Sequence, residues 1–303
     1  MTYEPKVTVV MRSKNSDWVI GQALAGLFSQ DYKNFELLVI DSGSTDRTLD
    51  LVRAYPHRLI EIQPEEYFPG PVLNRAVEAT DSEIIVFQNS DGVPLATNTL
   101  RRLVAPFEEP EVQATLARQL PRPDADTWVR RDYSVSFPAK DETPPWITLS
   151  LPMAAVRRSA WDRHRFYDAA WGSEDTEWGQ WAKDNHIRIA YVPDALIMHS
   201  HNYTLKQLYG RRFIEGEADA FIYGRKEGLA KVLGRTVVST ARDWIECLRD
   251  GDFVDMPKVP ARRAVFHWAY LKGHRHGASR KERGDPDWRL GQQTVLSRHE
   301  SNR

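Results

Sequence analysis

Short apolar runs alternate with amphipathic segments over the first hundred residues. Buried β-strands are predicted where β-branched and aromatic residues cluster, at residues 7–11, 35–40, 59–62 and 84–87. Between them, helices are predicted over residues 18–28, from Ser44 or Thr45 as N-cap through Tyr55, and over residues 71–79, which begin with proline. This alternation with short links predicts an α/β fold with a doubly wound, mostly parallel sheet flanked by helices.

The pattern changes after residue 120. Residues 120–145 are rich in proline and charge, which predicts a long loop that serves as a lid or binding segment or is disordered. Further strands are predicted at 147–156 and 188–192, and helices from Leu205, at 237–248 and at 264–271. The expected division is an α/β domain over residues 1–204 and a helical, basic extension over residues 205–303.

Polar side chains follow three of the predicted strands. They lie in residues 12–15, 41–46 and 88–91, which carry carboxylate, amide and hydroxyl groups. Ligands of doubly wound sheets bind beyond the carboxyl ends of the strands. We therefore expect these segments to line one crevice.

The charge balance excludes one class of partner. Lys and Arg (41) nearly cancel Asp and Glu (42), so the chain has no nucleic-acid signature. From Leu205 onward, however, basic residues exceed acidic ones by about seven, which is typical either of a solvated helical surface or of contact with an anionic partner such as a membrane.

Cysteine content and hydropathy bear on the compartment. Cys247 is the one cysteine, so neither an intrachain disulfide nor a cysteine-based zinc site can form, which fits a reducing, cytoplasmic location. The polar N-terminus does not resemble a signal peptide. No apolar stretch approaches the roughly 18 residues that span a bilayer, so any membrane contact is expected to be peripheral, on the inner face.

Two phosphate-binding motifs are absent. The first strand is not followed by G-x-G-x-x-G, and the chain contains no G-x-x-x-x-G-K-[ST]. Phosphates would therefore be neutralised most simply by a divalent cation, Mg²⁺ or Mn²⁺, held on carboxylates.

Several motifs follow one another along the chain: residues 7–10 with Arg12 and Asn15, residues 29–32, 35–46, 73–76, 84–87, 89–91 and 171–178, and residues 198–204 leading into 209–213. In this order they resemble family 2 glycosyltransferases, which are inverting enzymes of the GT-A fold. The last motif is similar to the bacterial rhamnosyltransferase-like branch. The resemblance implies transfer of a sugar from a nucleoside-diphosphate sugar to a hydroxyl of a glycan, lipid-linked or small-molecule acceptor.

The resemblance also implies a nucleotide site. It gives Asp41 contacts to base or ribose, although an Asp at this position can equally cap a turn. Arg12 and Asn15 are expected to form the wall of the site, or else a solvated loop. Asn74 and Arg75 match the family at their positions and are expected to contribute to donor binding.

Asn89, Ser90 and Asp91 stand where the family usually carries a D-x-D motif. The amide of Asn89 can hydrogen-bond sugar or ribose but supplies no charge, which leaves Asp91 as the expected metal ligand; a plain turn is the alternative. His199 and His201 could each supply an imidazole to the same cation, because imidazole suits Mn²⁺ and related ions. We expect one of them to be a ligand and prefer His199; a structural role is the alternative.

Residues 171–178 resemble the acidic motif that supplies the general base. We expect Asp175 to deprotonate the acceptor hydroxyl and Glu174 to orient or hold the acceptor, while an acidic helix N-terminus is the alternative. Arg211 and Arg212 are basic candidates for stabilising the leaving diphosphate, and so are Arg157 and Arg158; for each pair, neighbouring arginines that face water are the alternative.

Two rival functions remain open at this point. A sugar-1-phosphate nucleotidyltransferase would carry a glycine-rich loop after the first strand, where this chain has Arg-Ser-Lys-Asn-Ser. A non-catalytic nucleotide- or glycan-binding partner is kept open by Asn89 and disfavoured by Glu174 and Asp175. The helical extension also offers a surface for a homodimer.

Overall fold

The computed structural model describes residues 3–140, 144–145, 148–223 and 227–284. The described residues of 1–124, 132–168 and 174–200 form one compact unit, and those of 125–131, 169–173 and 201–303 form a second. The division at residue 204 stays a prediction.

An eight-stranded sheet runs through the described part of the first unit. Its strands are β1 (Val7–Ser13), β2 (Phe35–Asp41), β3 (Arg58–Glu61), β4 (Ile84–Gln88), β5 (Val93–Pro94), β6 (Val112–Leu120), β7 (Met153–Arg157) and β8 (Arg188–Met198). Their order is β3-β2-β1-β4-β7-β6-β8-β5. β1 to β4 pair in parallel. β4 and β6 both run antiparallel to β7, so β6 has the same direction as β1 to β4. β8 pairs in parallel with β6 and therefore has this direction too. The predicted α/β class is confirmed.

Ten α-helices are present in the described residues of the two units. They are α1 (Ile20–Phe28), α2 (Thr48–Arg53), α3 (Pro69–Glu78), α4 (Thr99–Val104), α5 (Thr127–Ser136), α6 (Arg158–Arg163), α7 (Glu174–Asp184), α8 (Leu205–Tyr223), α9 (Leu229–Asp250) and α10 (Val259–Arg283). None of the helices that the structure describes is both long and apolar enough to cross a membrane.

The sheet is buried on both faces because its strands are apolar at consecutive positions. Val9 and Met11 of β1 join Leu24 of α1 in one core layer, whereas Val10 joins Leu38 of β2 in the other. All five side chains are at most 1% exposed. Two apolar layers fix the sheet and thereby the positions of the loops at its edges.

Some local expectations are wrong. Residues 120–145 are not a loop throughout, because α5 lies inside this segment and buries Trp128 and Val129. The strand expected at 147–156 starts only at Met153, although residue 147 itself lies outside the described residues. β5 and β6 were not predicted, because β5 has only two residues and polar side chains interrupt β6.

In the second unit, α8 and α10 pack closely through glycines. A Cβ on Gly273 would lie 1.9 Å from the carbonyl oxygen of Phe213, and one on Gly216 would lie 2.2 Å from that of Tyr270. Only glycine permits such backbone approach. Both α9 and α10 extend well beyond the bounds predicted for them.

Candidate active site

The carboxyl ends of β1, β2, β4, β6 and β8 lie along one edge of the sheet because these strands share a direction. The segments that the sequence singled out, residues 12–15, 41–46 and 88–91, all follow or end strands at this edge. Ligands of doubly wound sheets bind there. We therefore take this edge as the candidate active site.

Asp41 is fully buried at the end of β2 and holds the following turn. Its carboxylate accepts hydrogen bonds from Ser13 Oγ (2.7 Å), Ser44 N (2.7 Å) and Ser44 Oγ (2.6 Å). The turn-capping role is thus present in the structure. Its contact to base or ribose stays a prediction.

Asn15 joins the loop after β1 to the loop after β2. Its backbone has φ +45°, its N–H donates to Ser44 Oγ (2.9 Å), and its Oδ1 accepts from Thr45 N (2.8 Å). The two loops are therefore held together by hydrogen bonds that need no ligand.

The start of α2 differs from the expectation. The helix begins at Thr48, and neither Ser44 nor Thr45 is its N-cap. Instead Asp46 Oδ1 accepts from Thr48 N (2.9 Å), and Asp46 Oδ2 accepts from Asp17 N (3.1 Å). Burial raises the pKa of Asp46, but the hydrogen bonds from Thr48 and Asp17 outweigh it, and its pKa is lowered.

Residues 89–92 form a tight turn after β4. The Asn89 carbonyl accepts from Gly92 N (2.9 Å), and Asn89 N donates to the carbonyl of Pro152 (3.1 Å). A Cβ on Gly92 would lie 2.5 Å from the same Pro152 oxygen, so the turn requires glycine there. Ser90 Oγ lies 2.9 Å from Ser16 Oγ, which ties the turn to the loop after β1.

Asp91 and His199 face each other beyond the ends of β4 and β8. His199 Nε2 lies 3.8 Å from Asp91 Oδ1, and both side chains are largely buried, at 11% and 19% exposure. The His199 backbone N–H donates to the Leu120 carbonyl (2.9 Å), so the ladder between β6 and β8 places this imidazole.

Gln119 of β6 fixes the tautomer of His199. The Gln119 amide nitrogen donates to Ser150 Oγ (2.8 Å), and its Oε1 lies 2.9 Å from His199 Nδ1. An amide oxygen only accepts, so Nδ1 of the neutral imidazole carries the hydrogen. The Nε2 lone pair then points toward the Asp91 carboxylate, and a carboxylate oxygen with an imidazole nitrogen is a donor pair that fits a divalent transition cation.

Arg12 forms an ion pair with Glu174. Arg12 Nη1 lies 2.9 Å from Glu174 Oε1, and the two side chains are 17% and 8% exposed. Burial alone lowers the pKa of Arg12, but the charges of Tyr67 and Glu174 and the hydrogen bond to Glu174 raise it above its ordinary value. The carboxyl end of β1 is thereby attached to the start of α7.

Asp175 lies beside Glu174 at the start of α7. Its Oδ1 accepts from Thr176 N (2.8 Å) and its Oδ2 from Leu151 N (3.3 Å), two residues before β7. Because β7 runs antiparallel to β4, Leu151 lies at the active-site edge, and so does Asp175. The neighbouring Trp178 is fully buried, with its indole N–H donating to the His164 carbonyl (2.8 Å), so core packing is its role.

Asn74 and Arg75 are not brought to the groups described above. The Asn74 amide donates to the Phe166 carbonyl (2.9 Å) and accepts from Trp161 Nε1 (2.9 Å) and Phe166 N (3.0 Å), so it anchors the segment after α6. Arg75 is exposed on α3. Their donor-binding role stays a prediction.

One basic residue was missed by the sequence reading. Arg122 follows β6, its backbone N–H donates to Ser200 Oγ (2.9 Å), and its guanidinium lies 5.1 Å from the Trp18 ring centroid. Its Nη1 is buried without a hydrogen-bond partner among the residues that the structure describes. Ser200 adjoins His199, so this cation lies at the same edge.

The four arginines that the sequence suggested for stabilising the leaving diphosphate contact other groups of the protein. Arg157 donates to the Phe107 carbonyl (2.8 Å), and Arg158 N donates to the Glu83 carbonyl (2.8 Å), at the amino end of β4. That is the edge opposite the active site, so the expectation for these two arginines is wrong. Arg211 and Arg212 both contact Glu215 in the second unit.

Comparisons with known proteins agree with this geometry. Residues 8–168 match the family model described as glycosyl transferase family 2. The O-antigen chain rhamnosyltransferase WbaN of Salmonella anatum is 30% identical over 193 residues, which cover 60% of this chain and 61% of that protein. RfbN of Salmonella typhimurium, another O-antigen chain rhamnosyltransferase, is 26% identical over 224 residues, covering 70% and 71%. The match to WbaN spans less than two thirds of that relative.

Solved structures share the fold. The mannosyltransferase PcManGT from Pyrobaculum calidifontis, in complex with GDP-Man and Mn²⁺, superposes with a TM-score of 0.64 at 20% identity, covering 91% of this chain and 88% of that one. Staphylococcus aureus TarS 1–349 in complex with UDP-GlcNAc gives 0.53 at 20% identity, covering 92% of each. The fold is the GT-A fold of these transferases. With the family model matching more than half of its length, the chain belongs to glycosyl transferase family 2.

Proposed function

We propose that the protein is an inverting, metal-assisted glycosyltransferase that moves a sugar from a nucleoside-diphosphate donor to an acceptor hydroxyl. The observation that carries the proposal is the Asp91–His199 pair, with its Nε2 lone pair turned toward the carboxylate, at the same sheet edge as Asp175. Family membership supports the reaction class, and the donor-set chemistry supports the cation.

Asp91 and His199 would hold the divalent cation. An imidazole ligand favours Mn²⁺ over Mg²⁺, which prefers oxygen ligands. When bound, the cation supplies positive charge beside the diphosphate. Gln119 keeps His199 Nε2 available, because Nδ1 is already committed as a donor.

Asp175 acts as the general base. The acceptor oxygen bonds to the anomeric carbon as its proton passes to an Asp175 carboxylate oxygen, and the bond from that carbon to the diphosphate oxygen breaks on the opposite face. The diphosphate leaves with the electron pair of that bond. Because the acceptor attacks on the face opposite the leaving group, the configuration at the anomeric carbon inverts. Glu174 is held by Arg12 and acts by positioning Asp175 on the first turn of α7.

The nucleotide would lie over the loops that follow β1, β2 and β4. We assign Asp41 and Asn15 to shaping this surface, since their side chains bind the loops to each other. Arg12, Asn89 and Ser90 are the proposed wall toward the ribose and sugar, and Asn74 and Arg75 keep their proposed supporting role.

Arg122 is the proposed cation for the departing diphosphate. Its buried Nη1 is a donor whose hydrogen-bonding capacity is unused within the described residues, and it lies next to the His199–Ser200 segment. A preorganised cation at this position would stabilise charge that develops as the bond to the diphosphate breaks. The Trp18 ring and Asp124 hold the guanidinium in place.

The relatives support a rhamnosyl donor and a glycan or lipid-linked acceptor. Both are O-antigen chain rhamnosyltransferases by name. The buried lone thiol of Cys247 suits a reducing compartment, so we propose a cytoplasmic enzyme, peripheral on the inner face of the membrane.

Nucleotide release from UDP-, GDP- and dTDP-sugars, measured with Mn²⁺, with Mg²⁺ and with chelator, tests the reaction. We expect one nucleotide class to be used, with a rhamnosyl donor preferred, Mn²⁺ superior, and an inverted anomeric configuration of the product by NMR. Retained configuration, or release unaffected by chelator, would contradict the mechanism.

A further inference from the structure

Helix α9 in the second unit turns its apolar side outward. Seven large apolar side chains along it are between 41% and 70% exposed: Leu229, Leu233, Val237, Val238, Trp244, Ile245 and Leu248. Two more, Phe253 and Val254, are 66% and 75% exposed just after the helix. At 22 residues, α9 carries this surface over about 33 Å.

The inner side of the same helix carries a buried carboxylate. Asp243 is buried and forms ion pairs with Arg131 (2.7 Å) and with Arg263 (2.5 Å). The buried side chains of α9 besides Asp243 are Val232 and Cys247. The exposed apolar side chains of α9 are therefore not used to pack this helix against the rest of its unit. An apolar surface of this extent is typical of a site that contacts a partner or a membrane.

Four cations follow one border of the apolar surface. Lys231, Arg235, Arg242 and Arg249 are spaced by four, seven and seven residues, which returns each to the same side of the helix. The side chains of Lys231, Arg235 and Arg242 remain 45% to 56% exposed although Glu227 and Asp243 contact them. Apolar side chains beside a row of cations are typical of helices that lie in a membrane interface.

We propose that α9 docks the protein on a lipid surface that contains anionic headgroups. The apolar side chains enter the acyl boundary, and the row of cations meets the headgroup phosphates. An antiparallel pair of α9 helices from two copies of the chain fits less well, because a twofold axis then places both rows of cations on the same side, where like charges repel.

This docking needs neither nucleotide, sugar nor metal, so it stands or falls separately from the proposed reaction. It would place the enzyme where lipid-linked acceptors reside. The direct test is sedimentation of the full chain with vesicles of phosphatidylcholine alone and of phosphatidylcholine mixed with phosphatidylglycerol.

We expect binding to the mixed vesicles at low salt that weakens as salt is raised, and little binding to phosphatidylcholine alone. The Val237→Asp/Val238→Asp variant should bind the mixed vesicles at least about tenfold more weakly, because two charges enter the apolar surface. The Arg235→Gln/Arg242→Gln variant should lose about fivefold per cation on mixed vesicles.

Val135→Asp is the matched control, since Val135 is 62% exposed on α5 in the first unit. It should bind vesicles as the unaltered chain does, and circular dichroism should show helix content retained in every variant. Absence of binding to mixed vesicles at low salt would overturn the proposal. So would equal binding by the Val237→Asp/Val238→Asp variant, or a concentration-dependent dimer that this variant abolishes.

Discussion

Two groups of loops at the active-site edge contain similar side chains but use them differently. At the ends of β1 and β2 and in the loops that follow them (residues 14–17 and 42–47), the side chains of Asp41 and Asn15 form hydrogen bonds with Ser44 and Thr45. In the loops after β4, β6 and β8 (residues 89–91, 121–122 and 199–200), Asp91 Oδ1 lies 3.8 Å from His199 Nε2. The first group is held together by its own hydrogen bonds, and the second brings together the carboxylate and the imidazole that we propose as cation ligands.

The same contrast separates the two neighbouring carboxylates of α7. Glu174 forms an ion pair with Arg12, whereas Asp175 accepts hydrogen bonds from Thr176 N (2.8 Å), Thr176 Oγ1 (3.4 Å) and Leu151 N (3.3 Å). Burial and polarity alone therefore do not distinguish a structural carboxylate from a reactive one. Substitutions that separate loss of transfer from loss of stability sharpen the distinction.

The largest effect is expected for Asp175→Asn. Removing the base should lower the rate of transfer about a thousandfold, since general base catalysis contributes about 10²–10⁴. Donor binding, measured by calorimetry with Mn²⁺, should stay within a few-fold. The matched variant Glu174→Gln should instead weaken folding and transfer together, because it leaves Arg12 buried without its anion. Unchanged transfer in Asp175→Asn would remove Asp175 as the base.

Asp91→Ala should lower transfer by about a hundredfold or more and abolish the dependence on Mn²⁺, since a bound cation contributes several kcal/mol to charge stabilisation. Its free energy of unfolding should change by less than that of Asp41→Ala, because the Asp91 side chain is 19% exposed whereas Asp41 is fully buried. A large loss of stability would make Asp91 a structural residue like Asp41. Urea unfolding and metal titrations of activity provide the two readings.

Arg122→Met should reduce transfer about ten- to a hundredfold, mainly in kcat, because the cation is expected to act on charge that develops during reaction. The methionine retains contact with the Trp18 ring, which protects the local packing. Trp18→Phe is the control for the ring contact and should change kcat only slightly. A change confined to KM would indicate uniform donor binding instead.

Asp41→Ala should lower the free energy of unfolding by about 2–4 kcal/mol, because it leaves the donors of Ser13 and Ser44 without their acceptor in a buried site. Urea unfolding measures this loss. A fully stable Asp41→Ala protein would show that the first group of loops does not depend on this carboxylate, and the comparison between the two groups of loops would fail.

The smallest effect concerns Asp46. Its folded-state pKa is lowered by hydrogen bonds from Thr48 and Asp17 that outweigh burial, so its carboxylate stabilises the fold above pH 4 and this contribution disappears as the pH falls through the folded-state pKa. Asp46→Asn should therefore be less stable than the unaltered protein by a few tenths of a kcal/mol at pH 7. The difference should shrink as the pH falls through the folded-state pKa. A difference independent of pH would contradict this origin.

The sequence predicted the parts of the fold that depend on local patterns. β1, β2 and β4 are apolar runs with clear ends, and the ligand segments follow directly from those ends. β6 was missed because Gln113, Arg118 and Gln119 interrupt its pattern, although Gln119 is the residue that orients His199. The alternation rule cannot recognise a strand whose polar side chains are used by distant partners.

The candidate site divides in the same way. Asp91, His199 and Asp175 were found from motif resemblance, and their roles stay predictions. Arg122 was missed because its place depends on contacts with Trp18 and Ser200, which are about eighty or more residues away in sequence. The sequence likewise did not show that Arg157 and Arg158 lie at the opposite edge of the sheet, because that position follows from the pairing of β7 with β4.

The most direct test of the central claim is thermal unfolding of the unaltered protein and of Asp91→Ala with UDP, GDP and dTDP, each with and without Mn²⁺. We expect one nucleotide to raise the Tm of the unaltered protein only when Mn²⁺ is present. The Asp91→Ala variant should lose this rise. No rise with any nucleotide, or the same rise in Asp91→Ala, would contradict a metal-dependent donor site at Asp91 and His199.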